Sequence, residues 1–165
     1  ALREKYTKSG YWVNIRLIRY SDVVLMAAEA ACELGDNTSA RRYLEMVRAR
    51  ARGTNANILP EVTTDNQSEL REAIRHERRV ELAYEDFRFF DIRRWRIAED
   101  VCNEYIQGYD VTKGKDGGFY TIVNVGDRMV FEKKHYLFPL ATAEILMNPA
   151  LEQNPGWPKL STATN

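Results

Sequence analysis

The chain reads as mainly α: tetratricopeptide-like helix pairing in its first hundred residues, followed by an irregular, loop-rich C-terminal region. Three observations predict this class. Apolar residues recur at helical spacing from Tyr20 to about Arg52 and again from Gln67. A very short break with cap-forming residues separates the first two periodic runs. Over residues 107–130, five glycines and short β-like runs replace the periodicity.

Residues 11–18 (YWVNIRLI) resemble an extended entry segment. A helix follows from Tyr20, on which Asp22, Met26, Glu29 and Glu33 share one narrow arc. Val23, Val24, Leu25, Ala27, Ala28, Ala30, Ala31, Cys32 and Leu34 fill the remainder, so this helix is expected to be covered on most sides. Gly35 is placed to end it in the left-handed conformation, and residues 36–39 offer caps for the next helix. On that helix Ala40, Tyr43, Leu44, Val47 and Ala51 share a face, while Arg41, Glu45, Arg48 and Arg52 take the other. Two helices joined so tightly form an antiparallel hairpin. The line AEAACELGDNTSARRYLEMVR has the cadence of a tetratricopeptide unit, and one such unit needs neighbours to bury its faces.

Residues 53–66 read as a polar loop, with Asn66 and Glu69 as a capping box. The third helix is expected to run from Gln67 through at least Tyr84. Its apolar arc holds Leu70, Ala73, Ile74, Val80 and Tyr84, with Glu77 and Glu81 inside that arc and Arg88 on the same line. Arg71, Arg75, Arg79 and Asp86 point away. Carboxylates on an apolar stripe are costly unless paired and hydrogen-bonded, and Arg78, Arg88, Arg93 and Arg94 are the expected partners. Further helical residues follow up to about Ile106, then a loop with a hairpin, the apolar run 136–140, a short helix near 142–147 and a Pro- and Asn-rich tail. The three segments are thus a helical hairpin at 20–52, further helices at 67–106 and an irregular closing segment at 107–165.

The chemistry of the sequence is binding or structural. Lys+Arg and Asp+Glu are both 24, so a general polyanion binder is excluded by charge. Of the 24 basic residues 17 are Arg, the side chain suited to fixed bidentate carboxylate pairs. Glu77 and Glu81 are spaced for an acid/base or ligand pair, but His76 lies a quarter-turn round the helix and His135 is isolated, which favours an ion-pair network. No nucleophile elbow, HExxH, phosphate loop or zinc spacing occurs, and no cofactor is expected. Arg41, Arg42, Arg48, Arg50 and Arg52 are the one candidate nucleic-acid face, and solvated charge is the preferred reading. Trp12, Trp95 and Trp157 are placed to pack rather than to stack on sugars. Cys32 reads as a small buried side chain. No run approaches the roughly 20 apolar residues of a membrane helix.

Three blocks are similar to the C-terminal part of the SusD/RagB family. The first is IRLIRYSDVVLMAAEAACELGD (15–36) with ARRYLEMVRARA (40–51). The second is LREAIRHERRVELAYEDFRFFDIRRW (70–95), matching the family at Ile74, Glu77, Arg78, Arg79, Glu81, Leu82, Tyr84, Glu85, Arg88, Asp91, Arg93 and Trp95. The third is YLFPLATAEILMNPALEQNPGW (136–157). The chain departs from the pattern at Asp86 and Arg96, where the family commonly has Gly, and at Ala141, where it has Pro. If those glycines serve turns, the local backbone is expected to differ.

The resemblance implies a fragment of an α/α superhelical SusD-like fold and a non-enzymatic role. It implies binding of a glycan or other nutrient at the outer membrane, as surface partner of a SusC-like TonB-dependent transporter, with this chain supplying helical scaffold. The whole protein would be several hundred residues long, with its lipid anchor upstream of this chain. No ligand-binding residue is carried over. Glu77, Arg78, Glu81, Arg88, Asp91, Arg93 and Trp95 are expected to form a structural network tying the third helix to the first two and to the terminal segment. The alternative is a helical-repeat protein–protein interaction domain without a small-molecule ligand.

Overall fold

A computed structural model describes residues 17–55, 57–110 and 121–159. The expected entry segment before residue 17, Trp12 and the glycines at 114, 117 and 118 lie outside the described residues. The chain divides into two compact units, Ala1–Arg88 and Phe89–Asn165.

The first unit holds three helices: α1 (Tyr20–Glu33), α2 (Asn37–Arg52) and α3 (Gln67–Glu81). Each packs on the other two. Their shared core is Val24, Leu25, Ala28 and Cys32 from α1, Ala40, Leu44 and Val47 from α2, and Leu70 and Ile74 from α3. The three- and four-residue spacings put each set on one face. Leu25, Leu44, Leu70 and Ile74 are fully buried, each contributing about 1.5–3 kcal/mol of transfer free energy. The α1–α2 hairpin thus finds a neighbour in α3.

The turns follow the cap chemistry. Gly35, at φ +79°, donates its N–H to Cys32 O while Asp36 N–H reaches Ala31 O, the paired bonds of a Schellman stop. Asp36 then caps α2 by accepting the Ser39 N–H at 3.0 Å. Asn66 caps α3 by accepting from Ser68 N and Glu69 N. The expected capping box does not close directly. The Thr64 hydroxyl stands between, accepting from Asn66 N at 3.2 Å and donating to Glu69 Oε2 at 2.5 Å. A hydroxyl both donates and accepts, so it bridges a gap that the Glu side chain would otherwise span.

Two wheel expectations are corrected. α3 stops at Glu81 rather than continuing through Tyr84, because Tyr84 and Asp86 adopt φ +63° and +64° and turn the chain. Tyr84 therefore leaves the apolar arc and is fully exposed, and Val80 is exposed as well. On α1 the expected strip fails at Asp22, which is buried, while Met26 and Glu33 are exposed; Val23 and Leu34, expected to be covered, are exposed as well. A charged partner on α3 draws Asp22 inward, which hydrophobic patterning alone does not register.

The second unit contains most of α4 (Phe87–Arg94), within which the division falls, and then α5 (Ala98–Cys102). It continues with the antiparallel strands β1 (Ile106–Asp110) and β2 (Thr121–Val125), paired from Ile106↔Val125 to Asp110↔Thr121. A 3₁₀ turn (Lys133–Tyr136) and α6 (Thr142–Met147) follow. The helix expected to reach Ile106 ends at Cys102. There Asn103 turns its side chain to Glu99 O and to both backbone groups of Phe131, and the aromatic and β-branched residues beyond favour extended chain. Ile92, Ala98 and Phe131 form a small core, flanked by Ile97, Cys102 and Tyr136.

The closing segment is zipped by side chains onto backbone. Gln153 bonds both Leu140 N and Leu140 O, Asn154 donates to Phe138 O, and the Trp157 indole N–H reaches Lys134 O and Leu137 O. At Gly156 (φ +84°) an added Cβ would lie 2.8 Å from Lys134 Cβ, so only glycine fits this crossing. Trp157 therefore packs half-buried, and Trp95 is likewise half-buried.

Candidate functional site

The inward face of α3 is the chemically densest place in the first unit. Arg78 Nη1 bonds Asp22 Oδ1 of α1 at 2.9 Å, with side chains only 3% and 4% exposed. Glu77 Oε2 meets Arg48 Nη1 of α2 at 2.7 Å, at 7% and 12% exposure, and Arg48 Nη2 also donates to Pro60 O at 2.9 Å. Glu81 accepts from Arg50 Nη2 at 2.7 Å on both oxygens, and from Arg19 Nη1 at 2.5 Å. Arg19 also donates to the Glu81 carbonyl and, through Nε, to both Glu85 oxygens. Three layers of charge thus run along α3: Arg78 joins it to α1, Glu77 joins it to α2, and Glu81 joins it to α2 and to Arg19.

The partners differ from those expected. Arg48, Arg50 and Arg19 serve Glu77 and Glu81, while Arg78 turns to Asp22. Arg88 lies on α4, beyond the left-handed turn at Tyr84 and Asp86, so the helical wheel of α3 does not relate it to Glu77 and Glu81. In the second unit, Asp91 pairs with Arg94 through Nε at 2.9 Å and Nη2 at 2.8 Å. Arg93 lies with Cζ 3.5 Å from the Phe89 ring centre, and Arg94 Cζ is 4.8 Å from that of Trp95. Asp91, Arg93 and Trp95 therefore have local partners of their own.

Sequence reasoning missed Arg19, Asp22, Arg48 and Arg50 as members of this cluster. One signal was available. Arg48 follows Leu44 by four residues and Val47 by one, at the edge of the core arc, where a long side chain lays its stem on the core and turns its head inward. Arg19 and Asp22 carry no comparable signal, since both belong to an otherwise ordinary helix start.

The electrostatics make the carboxylates acceptors rather than proton carriers. Burial pushes the Glu81 carboxyl up, but hydrogen bonds from Arg19, Ser21 and Arg50 outweigh it and hold the group below its usual range. Hydrogen bonding to Glu85, and secondarily to Glu81, raises Arg19 against the opposing effect of burial. At the far end of α3, a bidentate bond from Arg71 lowers Glu33. A carboxylate kept ionised by fixed guanidinium donors is poorly suited to general acid work near neutral pH. Among the described residues no group of three or more His, Cys, Asp or Glu side chains is arranged to hold a metal. Cys32 is buried, its thiol pushed up by burial, and its sulfur lies 3.5 Å from Gln67 O.

The arginines of α2 considered for nucleic acid have intramolecular partners. Arg41 donates to Thr64 O and Asp65, Arg52 to Glu45 and Leu59 O, and Arg48 and Arg50 to the α3 carboxylates. Arg42 lies 4.6 Å from the Tyr43 ring centre. This face is a set of clamps holding α2 to the 58–66 loop and to α3. An open cavity of about 380 Å³ lies on this same face, lined in part by Arg41 and Arg42, and others of about 320 and 310 Å³ lie at the base of the β-hairpin and beside α6.

The model of the SusD family matches residues 2–157. The SusD-like protein P2 of Formosa agariphila is 31% identical over 144 residues, covering 85% of this chain and 25% of that protein. Among solved structures, a SusD-like protein from Bacteroides fragilis superposes with TM-score 0.76 at 33% identity, over 87% of this chain and 26% of that one. A second structure from the same species, described as a SusD-like carbohydrate-binding protein, gives TM-score 0.65 at 32% identity over 81% of this chain and 28% of that one. The chain spans about a quarter of the length of the curated relatives it matches.

Proposed function

The chain belongs to the SusD family, and on that premise we propose that it takes part in binding a glycan or other nutrient at the outer membrane. In this reading it is part of the surface partner of a SusC-like TonB-dependent transporter. Its share is the helical scaffold rather than most of the ligand site. The protein is a binder and not an enzyme, and it is held at the cell surface by a lipid anchor upstream of these residues. No helix among the described residues is long and apolar enough to cross a membrane.

The observation that carries the scaffold role is the condition of the α3 carboxylates. Glu77 and Glu81 are both bonded to arginines of the same unit, which leaves them bracing helices rather than meeting a ligand. The carbohydrate-binding description of one Bacteroides fragilis relative supports the ligand class.

The test uses the protein tagged at its C-terminus in its source cells. Detergent-solubilised outer membranes are passed over the affinity resin, and the eluate is assayed for a TonB-dependent barrel and for retention on immobilised glycans. Both are expected. Loss of the barrel would overturn the transporter partnership. Capture of the barrel without retention on any glycan would favour the helical-repeat interaction domain instead.

A further inference from the structure

The base of the β-hairpin carries a cavity of about 320 Å³ that the scaffold does not use, lined by Asn103, Glu104, Tyr105, Gln107, Asn124 and Arg128. Gln107 and Asn124 are directly opposed in the strand register, so their side chains rise from the same face of the hairpin. The floor is fixed. Asn103 is clamped by Glu99 O at 2.7 Å, Phe131 O at 3.0 Å and Phe131 N at 2.6 Å, and Arg128 Nε is tied to Asn103 O at 2.8 Å. The side chains of Glu104, Tyr105, Gln107 and Asn124 form no hydrogen bond or ion pair with another described residue. Tyr105 is 49% exposed.

We propose that this cavity is a binding site for a neutral saccharide unit. Sugar hydroxyls donate and accept at once, and the two opposed amides each offer both functions. Glu104 supplies acceptors alone and Arg128 donors alone, and their charges cancel, which suits an uncharged polyol better than an ion. The Tyr105 ring supplies an apolar face for the C–H side of a pyranose, the division of labour usual in small-molecule sites. A cavity of this size admits a sugar ring of a longer chain. The site rests on the glycan reading for its ligand class, and on the hairpin geometry for its place and residues.

The test is an NMR titration of the full 165-residue chain with maltohexaose and cellohexaose, followed on the side-chain amides of Gln107 and Asn124. Saturable shifts with at least one neutral sugar are expected, with a midpoint of about 1–10 mM. Tyr105→Ala should weaken binding about tenfold without changing the melting temperature, and Tyr105→Phe should retain it. Three results would each overturn the site: no shift with either sugar up to about 20 mM, equal shifts with an oligogalacturonate, or shifts unaffected by Tyr105→Ala. Failure here with the barrel and glycan still captured removes the hairpin site alone. Binding here without capture of the barrel removes the transporter partnership and leaves the site standing.

Discussion

Replacing Asp22 by Ala removes the α1 carboxylate that faces Arg78, and the two side chains are only 4% and 3% exposed. The guanidinium then keeps its desolvation cost and loses the carboxylate that faces it from α1. Breaking a buried pair from one side costs about 3–5 kcal/mol, a large share of the ~5–15 kcal/mol that typically holds a domain folded. For a chain of this size each kcal/mol lowers Tm by about 2–4 °C, so Asp22→Ala should fall by about 6–20 °C. Glu77→Ala should sit near 3 kcal/mol, because Arg48 is 12% exposed and retains Pro60 O. The double variant Asp22→Leu/Arg78→Met removes both charges and should recover part of the loss relative to Asp22→Ala. Urea melts followed by circular dichroism at pH 7 give all four values. An Asp22→Ala midpoint equal to that of the parent would refute the reasoning, as would a double variant no more stable than the single one.

Two further outcomes follow from the same structure. The folded-state pKa of Glu81 lies below its usual 4.5, so its contribution to stability is complete above that value and is lost as pH falls through the folded-state pKa. Glu81→Gln should therefore flatten the acid limb of a pH–stability profile measured below about pH 4.5, and an unchanged limb would count against the pairing. Asp86 holds a left-handed φ of +64°, so Asp86→Gly should stabilise by about 0.5–1 kcal/mol in the same urea assay, and a loss of stability would contradict the strain.

The glycine departures connect sequence with backbone. Asp86 and Arg96 stand where the family pattern has Gly. Both residues hold left-handed conformations, φ +64° and +58°, the region that glycine enters most easily. Both therefore carry backbone strain that glycine would not. Arg96 recovers part of that strain by placing its guanidinium 4.6 Å from the Tyr136 ring centre, an interaction that glycine does not offer.

What was legible in the sequence was whatever short-range rules determine. The α1–α2 hairpin, the Gly35 stop, the Asp36 and Asn66 caps and the inward position of Glu77 all follow from spacing and cap chemistry. The partners of Glu77 and Glu81 were not legible, because Arg48, Arg50 and Arg19 lie 29, 31 and 62 residues away and their pairing depends on how three helices meet. Asp22 was misplaced for the same reason. The hairpin was legible from the glycines and short β-like runs beyond residue 106, but the end of the helix before it was not: the 97–106 segment reads as helix until Asn103 turns its side chain onto Phe131, another long-range contact. The hairpin cavity was invisible, since Gln107 and Asn124 become neighbours only through strand register.

Buried charge in this chain fastens helices to one another instead of presenting a reactive group. A doubly substituted protein, Glu77→Gln/Glu81→Gln, tests that claim most directly when its stability and its oligosaccharide affinity are measured side by side below its melting temperature. The scaffold account predicts a marked fall in stability, with the affinity of the folded protein unchanged within about twofold. Near-normal stability with affinity reduced tenfold or more would contradict it, and would make α3 part of the ligand site.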